Sequence, residues 1–105
     1  MKPVIFLGDS LKRLKQFPEG ARIDSGRELR RVQEGKDPRE WKPMSSIGRG
    51  VREIRVADRA GAFRVIYVGS IGENVYVLHA FQKKTQKTSQ PDLGIAKLRY
   101  KLIGK

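Results

Sequence analysis

Three segments in the second half of the chain have the apolar pattern of β-strands. They are residues 51–57 (VREIRVA), in which apolar and polar residues alternate, and residues 62–69 and 75–82, which are rich in Val, Ile, Tyr and Phe. The turn sequence ADRAG separates the first two, and residues 70–74 separate the last two, where Gly72 can take a positive φ. This pattern predicts consecutive antiparallel strands.

Two helices are predicted before these strands, because apolar residues there recur at helical spacing. Asp9 or Ser10 can cap the first helix, which ends near Gln16. The second helix extends to about residue 33 or 34, where Gly35 fits its end. The residues expected to face inward are Leu11, Leu14 and Phe17 in the first helix and Ala21, Leu29 and Val32 in the second.

Three further elements complete the predicted order. Residues 4–7 are a short apolar run typical of a buried strand, and Trp41 lies between prolines in a stretch typical of an edge strand or extended arm. A last helix begins at SQPD, which resembles a capping box, and its inward residues are Leu93, Ala96, Tyr100 and Ile103. The order strand, two helices, three or four antiparallel strands and helix predicts one α+β domain over residues 1–105, with helices on one face of the sheet.

The chain is strongly basic, since 23 Lys and Arg against 11 Asp and Glu give a formal net charge of +12. Such an excess favours a polyanion through counterion release, and an acidic protein surface fits the charge equally well. The chain has no cysteine and no pattern of metal-ligating residues, so we expect no metal and no cofactor. The apolar run near the N-terminus is too short for a signal peptide or a membrane span, so we expect a cytoplasmic protein without membrane contact.

Strand parity brings charged residues together on one predicted face. Glu53 and Arg55 share a face, and an odd register across the ADRAG turn places both beside Arg64. A two-residue turn at Gly72-Glu73 would add His79 to that face. Three lysines follow the last strand, namely Lys83, Lys84 and Lys87.

Each of these residues also has a structural interpretation. Arg64 lies in an apolar strand, where an unpaired buried charge is costly, so it either faces an anion or forms an ion pair with Glu53. A histidine in a strand such as His79 is more often a half-buried core residue than a proton carrier. Trp41 fits either an anchor for the arm or a platform for a base.

A cationic face of this kind suits phosphate chemistry. Cations aimed at a phosphate stabilise the charge that develops during in-line attack. RNA carries its own nucleophile, the 2′-OH, so such a site needs orientation, charge stabilisation and proton transfer but no metal and no protein nucleophile.

The segments VREIRVADRAGAFRVIYV and VYVLHAFQKKTQKT resemble the RelE/ParE toxin superfamily and are especially similar to its phage-derived, HigB-like branch. The resemblance extends from about Trp41 to the end of the chain. It implies a compact α+β fold, in which two N-terminal helices and one C-terminal helix pack an antiparallel sheet of about four strands. It also implies a type II toxin whose relatives enter the ribosomal A site and cleave mRNA without a metal ion.

The resemblance implies roles for individual residues in this mRNA endonuclease reaction. Arg64 and Lys84 would stabilise or protonate phosphate oxygens, and Arg55 falls near a strand-borne basic pair. Glu53 or a lysine would accept the 2′-OH proton, and the products are a 2′,3′-cyclic phosphate and a 5′-OH. The residues predicted to bind RNA are Arg52, Lys83, Lys87 and His79. The segment SQPDLG lacks the tyrosine or histidine that ribosome-dependent relatives often have there, so the base stays unassigned.

The implied partners are mRNA, the ribosome and a cognate antitoxin of helix-turn-helix type that is encoded adjacently. Two other functions remain open. The ParE branch has the same fold but inhibits DNA gyrase without cleaving RNA, and an inactive phage-derived RNA-binding module would carry the same charge.

Overall fold

The computed structural model of the protein describes residues 1–104 and contains three helices and five strands. In chain order the elements are β1 (Val4–Phe6), α1 (Ser10–Lys15), α2 (Glu19–Gln33), β2 (Trp41–Pro43), β3 (Val51–Asp58), β4 (Gly61–Val68), β5 (Val75–Lys83) and α3 (Gln90–Leu102). Every predicted element is present within a few residues of its predicted bounds, so the α+β class and the element order are confirmed.

The five strands form one mixed sheet in the order β1-β5-β4-β3-β2. Strands β2 to β5 are antiparallel, whereas β1 runs parallel to β5 and pairs Val4 with Val75 and Phe6 with Val77. The predicted antiparallel sheet of about four strands is therefore corrected to a mixed sheet of five. Parallel pairing needs a crossover connection, and the segment that contains α1 and α2 begins that connection.

Helices cover both faces of the sheet, which corrects the prediction that they all lie on one face. On one side, which we call the α1–α2 face, Leu14, Phe17, Ala21, Leu29 and Val32 pack against strand residues that include Ile54 and Val65. On the other side, the α3 face, Leu93, Ala96, Tyr100 and Ile103 pack against residues that include Ile66 and Val68. All the predicted inward residues are thus confirmed except Leu11, which is 37% exposed.

A β-bulge between β4 and β5 decides which side chains of β5 face α3. Val68 pairs with Tyr76 near the turn, but beyond the shift at Ile66/Tyr67 the register changes by one residue and Arg64 pairs with Phe81. The connection between these strands spans residues 69–74, not the predicted two-residue turn. If the register next to the turn continued along both strands, His79 would lie on the α1–α2 face. The bulge shifts the pairing by one residue, so His79 lies on the face of Arg64, as predicted.

Candidate functional site

Four basic side chains surround one carboxylate on the α3 face. Arg55 lies directly opposite Arg64, which confirms the odd register predicted across the β3–β4 turn, and Glu53 lies opposite Lys42. Lys83 shares this face because it lies two residues beyond the residue of β5 that pairs with Arg64. We call Lys42, Arg55, Arg64 and Lys83 the cationic cluster.

Glu53 and Arg64 form an ion pair beneath the surface. Arg64 Nε lies 3.5 Å from Glu53 Oε1, and the two side chains are 7% and 3% exposed. Arg64 Nη1 also donates a hydrogen bond to the Phe63 carbonyl oxygen at 2.9 Å. Burial lowers the pKa of Arg64, Glu53 opposes this effect, and the nearby charge of Arg55 adds to it. The ion pair with Glu53, one of the two alternatives open at the sequence level, is therefore present.

The segment after β5 passes over this ion pair. Thr88 Oγ1 donates a hydrogen bond to Glu53 Oε2 at 2.6 Å. One carboxylate oxygen of Glu53 thus faces Arg64 and the other accepts from Thr88, so the carboxylate is held inside the protein. Sequence reasoning did not single out Thr88, although a hydroxyl in a basic tail was a visible signal, because its carboxylate partner depends on the path of the loop.

The other three members of the cluster reach solvent. Arg55 and Lys42 are exposed and Lys83 is half-buried. Burial lowers the pKa of Lys83, and the positive charges of Arg64, Arg55 and Lys42 lower it further, while Glu53 opposes them. A lowered lysine pKa increases the fraction of neutral amine, which is the form that accepts a proton.

Three of the residues predicted to act on RNA, namely Arg52, Lys84 and Lys87, lie outside the cluster. Arg52 is on the α1–α2 face, where its guanidinium carbon lies 3.9 Å from the centre of the Trp41 ring and Nη1 donates to Asp37 Oδ1 at 2.8 Å. Trp41 is thereby packed on Arg52, as expected of an anchor for the arm. Lys84 is exposed and lines a pocket on the outer side of β5 instead of the cluster, and Lys87 is exposed in the following loop.

His79 connects the sheet to α3. Its ring is fully buried, and Nε2 lies 2.8 Å from Asp92 Oδ1. Ser89 caps α3 by accepting from the Asp92 backbone N–H at 3.2 Å, and its hydroxyl donates to Asp92 Oδ2 at 2.7 Å. Burial lowers the pKa of His79, and Asp92 opposes that effect. The prediction that His79 contacts RNA is corrected, because its ring lies in the core.

Within residues 1–104, no three His, Cys, Asp or Glu side chains are grouped so that they could hold a metal ion. Over the same residues, no helix combines the length and the apolar composition that a membrane crossing requires.

Comparison with protein families assigns the chain at the level of the family. The profile described as "Phage derived protein Gp49-like (DUF891)" matches residues 12–101. The chain belongs to the Gp49-like family. This family is associated with RelE-like toxins, so the RelE-like part of the predicted resemblance is supported, while the HigB-like branch stays a prediction. A comparison with curated proteins gave no significant match.

Proposed function

We propose that this protein is the toxin of a type II toxin–antitoxin system and that it inhibits translation by cleaving mRNA on the ribosome. Membership of a phage-derived, toxin-like family supports the first part. The observation that carries the second part is the cationic cluster, in which Lys42, Arg55 and Arg64 carry three positive charges against the one negative charge of Glu53, before any charge on Lys83 is counted. Such a surface favours an RNA phosphate.

The exposed members of the cluster suit a phosphate that arrives from solvent. Arg55 and Lys42 bind its non-bridging oxygens from the rim, and Arg64 adds its charge from beneath. The guanidinium groups of Arg55 and Arg64 stabilise the negative charge that grows on these oxygens as the 2′-oxygen attacks. The held Glu53 carboxylate keeps the Arg64 side chain in place.

The proton balance assigns a role to Lys83. The 2′-oxygen attacks the adjacent phosphorus, the bond from phosphorus to the 5′-oxygen breaks, and the leaving oxygen takes a proton from solvent. The 2′-OH proton passes to the neutral form of the Lys83 amine, and burial together with the neighbouring positive charges lowers the Lys83 pKa in the direction of that form. Glu53 is the poorer acceptor because both of its oxygens face partners inside the protein. The products are a 2′,3′-cyclic phosphate and a 5′-OH, and the route uses neither a metal nor a cofactor.

The proposed toxin has partners besides mRNA and acts in a particular compartment. A protein of this charge acts on mRNA and ribosomes in the cytoplasm, and its activity is held in check by an adjacently encoded antitoxin of helix-turn-helix type. An acidic segment of that antitoxin would complement the net charge of +12.

The test is induced expression followed by mapping of mRNA 5′ ends. We expect growth arrest with new 5′-OH ends, and loss of both in Arg55→Ala and Lys83→Ala. Arg22→Ala is the matched control, because Arg22 is an exposed cation of α2, outside the cluster. Arrest with intact mRNA, trapped DNA breaks and SOS induction would point to gyrase instead. No arrest but salt-sensitive RNA binding would point to an inactive binding module.

A further inference from the structure

A hydrogen-bonded network joins the middle of β5 to the start of α3. The buried ring of His79 stacks on Phe81 with ring centres 5.0 Å apart, and its Nε2 lies 2.8 Å from Asp92 Oδ1. The other Asp92 oxygen accepts from the Ser89 hydroxyl at 2.7 Å, and Ser89 Oγ accepts from the Asp92 backbone N–H at 3.2 Å. Both carboxylate oxygens of Asp92 are therefore engaged, and the first turn of α3 is fixed to the sheet. We call His79, Asp92 and Ser89 the anchor network.

The anchor network lies directly beside Thr88 in the chain. Thr88 is bonded covalently to Ser89, and its hydroxyl donates to Glu53 Oε2 at 2.6 Å. The other hydroxyl of the loop, that of Thr85, donates to the Lys87 carbonyl oxygen inside the loop and holds nothing outside it. The position of the Thr88 hydroxyl therefore depends on the residue that follows it, which the anchor network holds.

The contact between Glu53 and Arg64 is longer than a hydrogen bond. Arg64 Nε lies 3.5 Å from Glu53 Oε1, whereas an N–H···O bond is about 2.7–3.2 Å long. Among residues 1–104, no acceptor meets hydrogen-bond geometry with this buried N–H. A buried donor without an acceptor is costly, so the carboxylate would close the gap if it were free to move. The bond from Thr88 to the other carboxylate oxygen is the contact that opposes this movement.

We infer that the residues of the anchor network are positioning residues for the cationic cluster. They fix Thr88, and Thr88 holds the Glu53 carboxylate back from Arg64, so that the charge of Arg64 is incompletely neutralised and acts on an anion at the cluster. When the network is broken, Glu53 closes on Arg64 and the cluster binds the anion more weakly. The inference rests on the proposed function only in that the anion is an RNA phosphate, and inorganic phosphate probes the same electrostatics.

The competing interpretation is an anchor that serves only the stability of α3. Apolar side chains of α3 pack on the sheet, and Arg99 Nη1 donates to the Leu78 carbonyl oxygen at 2.9 Å, so the helix has attachments outside the network. Ser89→Ala and Asp92→Asn should therefore loosen the first turn and leave the helix docked. Both interpretations expect a loss of stability, but only the positioning role expects a change at Arg64.

The first experiment is an NMR titration of the full chain with inorganic phosphate at constant ionic strength. We expect affinity at Arg55 and Lys83 to fall about two- to tenfold in Ser89→Ala and Asp92→Asn. The Arg64 Nε–H signal should move to higher chemical shift in both, as an N–H does when it gains an acceptor. The matched control is Ser10→Ala, because the buried Ser10 hydroxyl donates to the Val77 carbonyl oxygen at 3.2 Å, outside the network. It should change neither quantity.

The sign of the Asp92→Asn effect is informative. This substitution removes a negative charge, so an effect of charge alone would strengthen phosphate binding, whereas the positioning role weakens it. The buried His79 is tested by a conservative pair. His79→Gln can keep a donor towards Asp92 and should retain phosphate affinity, whereas His79→Leu cannot and should lose it. If neither His79 variant folds, Ser89→Ala and Asp92→Asn decide the inference.

The second experiment is a double-mutant cycle on phosphate affinity. The effects of Thr88→Val and Asp92→Asn should be non-additive, because both act through the same carboxylate, whereas Thr88→Val and Ser10→Ala should add. Additive effects in the first pair would contradict the route through Thr88.

Two further outcomes separate the inference from the proposed function. Unchanged phosphate affinity and an unchanged Arg64 signal in the network variants would overturn the inference and leave the nuclease standing. Weaker phosphate binding in these variants of a chain that cleaves no RNA would support the inference and count against the nuclease.

Discussion

Arg55 and Arg64 lie directly opposite each other on neighbouring strands and on the same face of the sheet. Like charges in this position repel. Glu53 lies on the same face, two residues before Arg55 in β3, and its negative charge offsets part of the repulsion. The fold therefore carries an electrostatic cost at the cationic cluster that a bound anion would relieve.

The first prediction concerns that anion. Phosphate should raise the melting temperature above its value in chloride of equal ionic strength, because a ligand that binds the folded state stabilises it. A phosphate concentration of ten times its Kd would add about 1.4 kcal/mol, and so several degrees for a domain of this size. The increment should shrink in Arg55→Ala and persist in Arg22→Ala. An equal increment in both variants would mean that phosphate acts on the whole surface.

The second prediction concerns the Glu53–Arg64 pair. Arg64→Ala should lower the free energy of unfolding by about 3–5 kcal/mol, because it leaves a buried carboxylate without its partner. Urea unfolding measures this loss. The double variant Glu53→Leu with Arg64→Met should be more stable than Glu53→Leu alone or Arg64→Met alone, since it removes both charges from the interior. Additive losses in the double variant would contradict the ion pair.

A practical consequence follows for activity assays. Loss of toxicity in Arg64→Ala would not separate lost chemistry from lost folding. The exposed Arg55 and the half-buried Lys83 are the residues whose replacement reports on the site.

The third prediction concerns Thr88. Thr88→Val keeps the shape of the side chain but removes the hydrogen bond to Glu53, and should cost about 1–3 kcal/mol of unfolding free energy. Thr85→Val is the matched control, because Thr85 bonds within its own loop, to the Lys87 carbonyl oxygen. It should stay within about 0.5 kcal/mol of the unmodified chain. Equal effects of the two changes in chemical denaturation would remove the special role of Thr88.

The fourth prediction concerns pH and the single histidine of the chain. Burial lowers the pKa of His79 below its usual value of 6.5, so the folded state favours the neutral ring. The charged groups that act on the ring are Asp92, which favours its protonation, and Arg13 and Arg99, which oppose it. The stability that this ring contributes is complete above about pH 6.5 and is lost as the pH falls from there towards the folded-state pKa.

Urea unfolding between about pH 7.5 and 5 tests this dependence. The unmodified chain should lose stability on acidification, and His79→Asn should lose less. Asp9 does not interfere, because Arg13 and Arg99 hold the pKa of its carboxyl well below the usual range. The stability that this carboxylate contributes is therefore lost only below about pH 4. The same slope in both proteins would contradict the assignment.

The fifth prediction concerns salt. Each phosphate contact that is removed should reduce the slope of log affinity against log salt by about 0.7 for single-stranded RNA. Arg55→Ala should show this reduction in a binding titration, whereas Arg52→Ala should not, because Arg52 lies on the opposite face and is held by Trp41 and Asp37. A smaller slope for Arg52→Ala would place RNA on the α1–α2 face.

The local sequence pattern was sufficient to predict the helices and strands. For many residues it was also sufficient to predict which side of the helix or sheet they lie on. Alternation put Glu53 and Arg55 on one face, and helical spacing put Leu93, Ala96 and Tyr100 inward, and the structure confirms both. These periods follow from backbone geometry, which is the same in any fold, so they can be read from the chain alone.

The sequence by itself therefore determined the strands, the helices and a cationic face with Arg64 at its centre. Only the tertiary structure decided that β1 joins the sheet in parallel, that a bulge returns His79 to the face of Arg64, and that Thr88 binds Glu53. Each of these depends on contacts between distant segments and on the path of a loop. The free energy of such contacts comes from burial and pairing, which a local pattern does not encode.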